Sequence, residues 1–194
     1  MAPPSTEHRA PRTGSVVLRD ILPSDFEELY QLDQVCFEPG IAYSRKELAR
    51  FVDIPTAQGV VAEQARTIAG FAIGYLAGRR VAHVVTLDVH PEQRRRGLGR
   101  ELLQELLARF ARAGAREARL EVSVENAAAV AFYEALGFRR RRRELRDYYG
   151  PGLHAHEMSK KLGYRVARRR STASIFPDSR SSSKLSEERG RLKR

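Results

Sequence analysis

Val84-Val85-Thr86-Leu87-Asp88-Val89, then His90-Pro91-Glu92-Gln93, then Arg94-Arg95-Arg96-Gly97-Leu98-Gly99-Arg100 is the stretch that decides the fold of this chain. An apolar strand ends in a short loop, and a basic, glycine-bearing turn then opens a long helix. Beyond Gly99, Leu102, Leu103, Leu106, Leu107, Phe110 and Ala111 recur at helical spacing. The first turn of such a helix carries N–H groups without intrahelical partners, and the helix dipole adds partial positive charge there. Gly97 and Gly99 carry no Cβ, so a phosphate can approach those N–H groups closely. The neighbouring arginines offer charge-assisted hydrogen bonds. Residues 94–100 are therefore expected to hold a diphosphate-type ligand.

Two familiar phosphate-binding patterns do not fit. A dinucleotide turn needs G-x-G-x-x-G, and position 102 is Leu; the P-loop pattern G-x-x-x-x-G-K-[ST] is absent. The hexamer Arg94-Arg95-Arg96-Gly97-Leu98-Gly99 does resemble the [Gln/Arg]-x-x-Gly-x-[Gly/Ala] pattern of the GCN5-related N-acetyltransferases. A second block carries the same resemblance: Leu120-Glu121-Val122, Asn126, and Phe132-Tyr133-Glu134-Ala135-Leu136-Gly137-Phe138. Within that family the chain is most similar to the bacterial branch that acetylates the N-terminal alanine of a ribosomal protein. The likeness covers residues 16 to about 162 and is strongest over 84–138.

The resemblance implies a mixed α/β fold with a mostly antiparallel central sheet, flanked by helices and splayed between the strands ending near Val89 and Val122. It implies acetyl-CoA as acyl donor in that splay, with no metal. Backbone groups left unpaired by the parting strands, those of Leu87, Asp88 and Val89, are expected to meet the pantetheine amides. Arg94, Arg95, Arg96, Gly97, Leu98, Gly99 and Arg100 are expected at the diphosphate. Asn126 is expected to cap a helix and, by resemblance, to touch the cofactor.

Amide formation from a thioester needs a neutral amine, yet an α-amino group has a pKa of about 7.7–8.0. A general base is therefore required, together with a donor for the oxyanion and a proton for the departing thiolate. The resemblance assigns the base to Glu121 and the thiol-protonating hydroxyl to Tyr133. Adjacent helical positions point about 100° apart, so Phe132 and Tyr133 are not expected to face one core. His83, on the strand before the turn, is the weaker alternative base; a satisfied core histidine is the competing reading.

Tyr148 and Tyr149 are expected in a short loop, 147–153, between the last two strands, where the resemblance makes them a wall of a peptide groove. Two departures from the branch stand out. Ile41-Ala42-Tyr43-Ser44 lacks its Pro-Trp-Ser segment, and the arginine run Arg139–Arg143 is unusual.

Composition bounds the rest. The length suits one domain plus tails, read as an arm at 1–14, an acetyltransferase domain at 15–163 and a basic tail at 164–194. Residues 165–194 hold ten Lys/Arg against three Asp/Glu, so +7 of the net +11 lies there. That Arg/Ser-rich segment is too poor in apolar residues to fold alone; it suits weak electrostatic contact with RNA or a ribosome, or plain solubilisation. No run of eighteen apolar residues exists and the N-terminus lacks an apolar signal core. With one cysteine and five scattered histidines, no disulfide or metal cluster is expected, and Cys36 reads as a buried structural thiol. A cytoplasmic protein, monomer or weak dimer, is the expectation.

Element by element, the pattern predicts strands at 16–19, 59–63, 67–77, 81–89, 117–122, 138–146 and 154–161. Helices are predicted at 23–37, from a Ser44–Glu47 capping box onward, at 97–113 and at 126–136. Acetylation of a protein or peptide N-terminus is the leading functional reading. Acetylation of a small amine (polyamine, amino acid or aminoglycoside) is the second. A non-catalytic acyl-CoA-binding or RNA-tethering module is the third, and Glu121 with Tyr133 argues against it.

Overall fold

The computed structural model describes residues 15–38 and 40–163; the readings of 1–14 as an arm and of 164–194 as a tail concern residues outside that set. Seven strands form one sheet in the order β1-β2-β3-β4-β5-β7-β6. They are β1 (Val17–Asp20), β2 (Ala57–Gln64), β3 (Thr67–Leu76), β4 (Val81–Val89), β5 (Glu117–Ser123), β6 (Arg139–Gly150) and β7 (Leu153–Lys161). The helices are α1 (Phe26–Cys36), α2 (Arg45–Val52), α3 (Leu98–Arg112) and α4 (Ala127–Ala135). The mixed α/β order is the one expected, and β4 has the bounds its sequence predicts.

Period-two patterning in β3 separates two cores. Phe71, Ile73 and Tyr75 bury their rings and branches with Leu29, Leu32, Leu48 and Phe51 of α1 and α2. Ala72, on the alternate face, lies in the other core, with Leu102, Leu103, Leu106 and Phe110 of α3. Gly74 lets α3 lie close: a Cβ there would sit 2.5 Å from the His83 carbonyl and 2.9 Å from the Phe110 ring. Each fully buried leucine of α3 contributes about 1.5–3 kcal/mol by burial, so α3 is fixed firmly on the sheet that feeds it.

All neighbouring strands run antiparallel except β4 and β5. That parallel pair lasts for Val81, Ala82 and His83 against Glu117, Ala118 and Arg119, and goes no further. At the same level β4 carries a bulge: Thr86 pairs with Ile73 and Val84 with Gly74, leaving Val85 as the extra residue. A bulge bends and twists its strand, turning the second half of β4 away from β5. The Tyr43 hydroxyl donates to the Val85 carbonyl at 3.3 Å, and the Tyr43 amide donates to Asp33 Oδ2 at 2.7 Å. The segment that departs from the ribosomal branch thus supplies a buried strut for the bulge.

Three expectations need correction. The helix predicted over 23–37 is broken: Pro23–Asp25 is a 3-10 turn, and α1 starts at Phe26. The cause is Asp25, whose buried carboxylate accepts from the Leu22 amide at 2.7 Å and from Arg19 at 2.7 and 3.1 Å. The last hairpin is also tighter than predicted. β6 runs on to Gly150, so Tyr148 and Tyr149 lie on a strand end and only Pro151-Gly152 is left as the turn. Two register shifts in β6 and a positive φ of 53° at Asp147 hide the alternation that would have revealed it. Third, Phe132 and Tyr133 do pack against the same α3-side core, with ring centroids 5.3 Å apart. A 100° offset is within the apolar arc of a helix lying at the core edge, and long aromatic rings reach across it. The Ser44–Glu47 capping box forms as predicted.

Arg19 holds the Asp25 carboxyl below the usual aspartate range, against burial, with the Leu22 amide adding to the effect. A depressed carboxylate stabilises the fold above its unfolded pKa of about 3.9 and loses that contribution as pH falls through its lower folded value. Asp25→Asn should therefore cost about 1–3 kcal/mol at pH 7, and the deficit should shrink below about pH 4. Urea unfolding of both proteins from pH 7 to 3 checks this; a constant gap would contradict it.

Candidate active site

Where β4 and β5 part, a cavity of about 900 Å³ opens between the β4 end, the α3 N-terminus, β5 and α4. Leu87 and Val89 line it from β4. Arg94, Arg95, Gly97, Leu98, Gly99 and Arg100 line it from the turn. Glu121 borders it from β5, Asn126 and Tyr133 from α4, and Tyr149 from the end of β6. Asp88, Arg96 and Tyr148 do not reach its wall. The Asp88 side chain is fully buried and accepts from the Thr86 hydroxyl, and Arg96 turns to Gln93 at 3.1 Å.

The turn is built for an anion. Gly97 caps α3 with a left-handed backbone (φ 89°), and a Cβ placed there would meet nothing within 4 Å. The strain of a side chain at that φ, rather than crowding, calls for glycine. In the first turn of α3 the Arg100 amide already donates to the Gly97 carbonyl at 2.9 Å, so the Leu98 and Gly99 amides are the donors that turn has to spare. Arg94 plays a different part. It donates to the Val89 carbonyl at 3.0 Å and to the Cys36 carbonyl at 3.4 Å, tying the end of α1 to the end of β4. On the far rim, Asn126 Oδ1 caps α4 by accepting from the Ala129 amide at 2.9 Å.

Glu121 and Tyr133 share the cavity wall. Burial first, then the nearby Tyr149 and Asp88, push the Tyr133 phenol well above its ordinary pKa, so it stays protonated and can donate. Tyr148 donates to Glu121 Oε2 at 3.1 Å, and Tyr149 donates to the Glu121 carbonyl at 3.2 Å. The two rings meet edge to face at 4.9 Å and pack with Ile41. The tyrosine pair thus braces the Glu121 strand while Tyr149 walls the cavity beside it.

Behind Glu121 lies His83, read from the sequence as the weaker alternative base. His83 Nε2 is 2.6 Å from Glu121 Oε2, and His83 Nδ1 is 3.0 Å from the Tyr75 hydroxyl. Tyr75 is fully buried and His83 nearly so. A two-residue turn at Gly78-Arg79 would set Tyr75 opposite Ala82; the observed register is one residue off that, with Tyr75 opposite His83, so the sequence pattern does not reveal the pair. Cys36, read as a structural thiol, lines the cavity and lies 3.3 Å from the Val89 carbonyl. Among the described residues no group of His, Cys, Asp and Glu is arranged to hold a metal ion, and no helix is long and apolar enough to cross a membrane.

The profile of the Acetyltransferase (GNAT) family matches residues 26–138. The chain belongs to the GNAT acetyltransferase family. It is 38% identical over 101 residues to the N-alpha-acetyltransferase RimI of Mycobacterium tuberculosis, covering 48% of this chain and 62% of that protein. It is 30% identical over 162 residues to the L-2,4-diaminobutyric acid acetyltransferase of Nocardia farcinica, covering 80% and 82% respectively. The chain spans 40–62% of the length of the first curated relatives it matches. Among solved structures, the ribosomal-protein-S18-alanine N-acetyltransferase of Escherichia coli superposes with a TM-score of 0.67 at 26% identity, over 79% of this chain and all of that one. Arabidopsis thaliana NAA60, solved with acetyl-CoA, shares the fold at a TM-score of 0.66 and 21% identity, over 76% of this chain and 99% of its own.

Burial first, then the Asp88 carboxylate, raise the Cys36 thiol to about 11. The reactive thiolate is then rarer at pH 8 than in a free cysteine by about two orders of magnitude. Iodoacetamide should label Cys36 slowly at neutral pH, with a rate rising about tenfold per pH unit toward pH 11. Rapid labelling at pH 7.5 would contradict this environment.

Proposed function

We propose that this protein transfers the acetyl group of acetyl-CoA to the α-amino group of a protein or peptide N-terminus, directly and through a ternary complex. The observation that carries this reading is the pairing of Glu121 and Tyr133 on one cavity wall, next to the glycine turn at 97–100 and to Tyr149, with Tyr148 behind it on Glu121. Acetyl-CoA supplies the activated thioester. The first-turn amides of α3 and the side chain of Arg100 neutralise its diphosphate. Backbone groups near Val89, free of β5, serve the pantetheine chain and the developing oxyanion.

Glu121 takes the proton from the acceptor amine, directly or through one water, so that the nitrogen lone pair forms the new C–N bond. Collapse of the tetrahedral intermediate breaks the C–S bond, and the Tyr133 hydroxyl gives its proton to the departing sulfur. That phenol suits this role because burial keeps it protonated. The same burial leaves the phenolate basic, so it regains a proton readily. The aromatic pair Tyr148–Tyr149, packed with Ile41, offers one side of a groove for an extended acceptor.

A small diamine or amino-acid acceptor is the second reading, favoured by the diaminobutyric acid acetyltransferase likeness, which spans 82% of that relative. A panel of free-N-terminus peptides, N-blocked lysine peptides, polyamines and diamino acids, each incubated with acetyl-CoA, separates the two. Glu121→Gln keeps the shape but not the base, and Tyr133→Phe removes one hydroxyl. Each should lower turnover by about 10²–10⁴-fold with acetyl-CoA affinity nearly unchanged. Wild-type rates in Glu121→Gln would place the base elsewhere. A tenfold acetyl-CoA affinity loss in either variant would make its role binding.

A further inference from the structure

Resting on the reading of Glu121 as the base, we propose that His83 is its positioning residue, held in one tautomer by Tyr75, and that the histidine fixes the carboxylate in the orientation in which it takes the acceptor's proton. Four groups form one buried chain across four strands: Tyr75 Oη on β3, His83 on β4, Glu121 on β5 and Tyr148 Oη on β6. Tyr75, His83 and Tyr148 are each less than a tenth exposed, and the cavity wall includes Glu121 but neither Tyr75 nor His83. The histidine therefore acts through the carboxylate and does not touch substrate.

Hydrogen-bond chemistry fixes the proton. An ionised carboxylate only accepts, so at 2.6 Å His83 Nε2 must carry hydrogen. In the neutral ring Nδ1 is then the acceptor, and the Tyr75 hydroxyl at 3.0 Å is its donor. Glu121 Oε2 thus takes bonds from His83 and from Tyr148, which orient the carboxylate toward the cavity. The charged or titratable neighbours are Arg119, opposite His83 in the β4–β5 register, and Glu157, opposite Glu121 in the β5–β7 register. Arg119 is tied to Glu117 at 2.9 Å and also interacts with Glu121 and Glu157, while Glu121 is the anion that contacts the imidazole.

The bulge explains why this pair exists here. His83 is the last residue of β4 in register with β5, and it stands two residues before the bulged Val85. It is the last point at which a β4 side chain can reach across to a β5 side chain before the strands part. Glu121, two residues beyond Arg119, already faces the opening cavity.

The test uses the full chain labelled with 15N-histidine, and kinetics with whichever acceptor the panel identifies. The His83 ring should show a protonated Nε2 and an unprotonated Nδ1 at pH 8. His83→Phe should lower kcat by about 10–100-fold while leaving KM for acetyl-CoA unchanged. His83→Gln, which restores an N–H donor without a titrating ring, should recover most of that rate. Tyr75→Phe, which removes one buried hydroxyl, should mix the tautomers even if His83→Phe fails to fold. An Nδ1–H ring or full kcat in His83→Phe would each overturn the proposal. Full kcat in Glu121→Gln would overturn the base reading beneath it, and the NMR result tells the two failures apart.

Discussion

Backbone pairing between β4 and β5 stops after three residues, and most of what this molecule can do depends on that interruption. A continuous parallel pair would close the sheet and bury its amides in a ladder, leaving no room for a ligand. The bulge at Val85 turns β4 away, and the Tyr43 hydroxyl fixes the bulged carbonyl from the far side of the sheet. The opened β4 end then leads through a short loop into the N-terminus of α3. One strand thus delivers unpaired backbone, a helix dipole and a left-handed glycine to the same cavity.

The two sides of the splay divide the chemistry between them. The β4 side and the α3 turn present backbone groups and arginines, a surface suited to a polyanion. The β5 and α4 side presents Glu121 and Tyr133, a carboxylate and a buried phenol that stays protonated. Arg94 is used as a tie between α1 and β4, and Arg119 is bonded to Glu117. His83 and Tyr148 hold the Glu121 carboxylate directly, and the Arg119 guanidinium also interacts with it electrostatically.

Legibility in the sequence follows the strength of local signals. The strand at 81–89, the amphipathic α3 and the Ser44 cap are visible because apolar period and capping chemistry agree over several residues. The tyrosines of β6 read as loop residues because Arg139–Arg143 and Asp147 break the alternation, while the actual strand absorbs two register shifts. The 3-10 start ahead of α1 turns on the Asp25 side chain, which takes bonds from Arg19 and the Leu22 amide, a polar contact that the apolar period does not show. Within the site, Gly97, Glu121, Asn126 and Tyr133 can be nominated from motif residues. Tyr75 and the weight of His83 cannot, because their partnership exists only once the β3–β4 register and the β4–β5 contact are combined.

Backbone amide exchange tests most directly whether the parting of β4 and β5 is the acyl-CoA site. Two-dimensional 1H–15N spectra of the labelled protein, with and without millimolar acetyl-CoA, follow each amide. Slowed exchange and shifted resonances should concentrate at Leu87–Val89 and Gly97–Arg100, with little change in β1, β2 and α2. Unchanged amides at both segments, or changes centred on another part of the sheet, would contradict it.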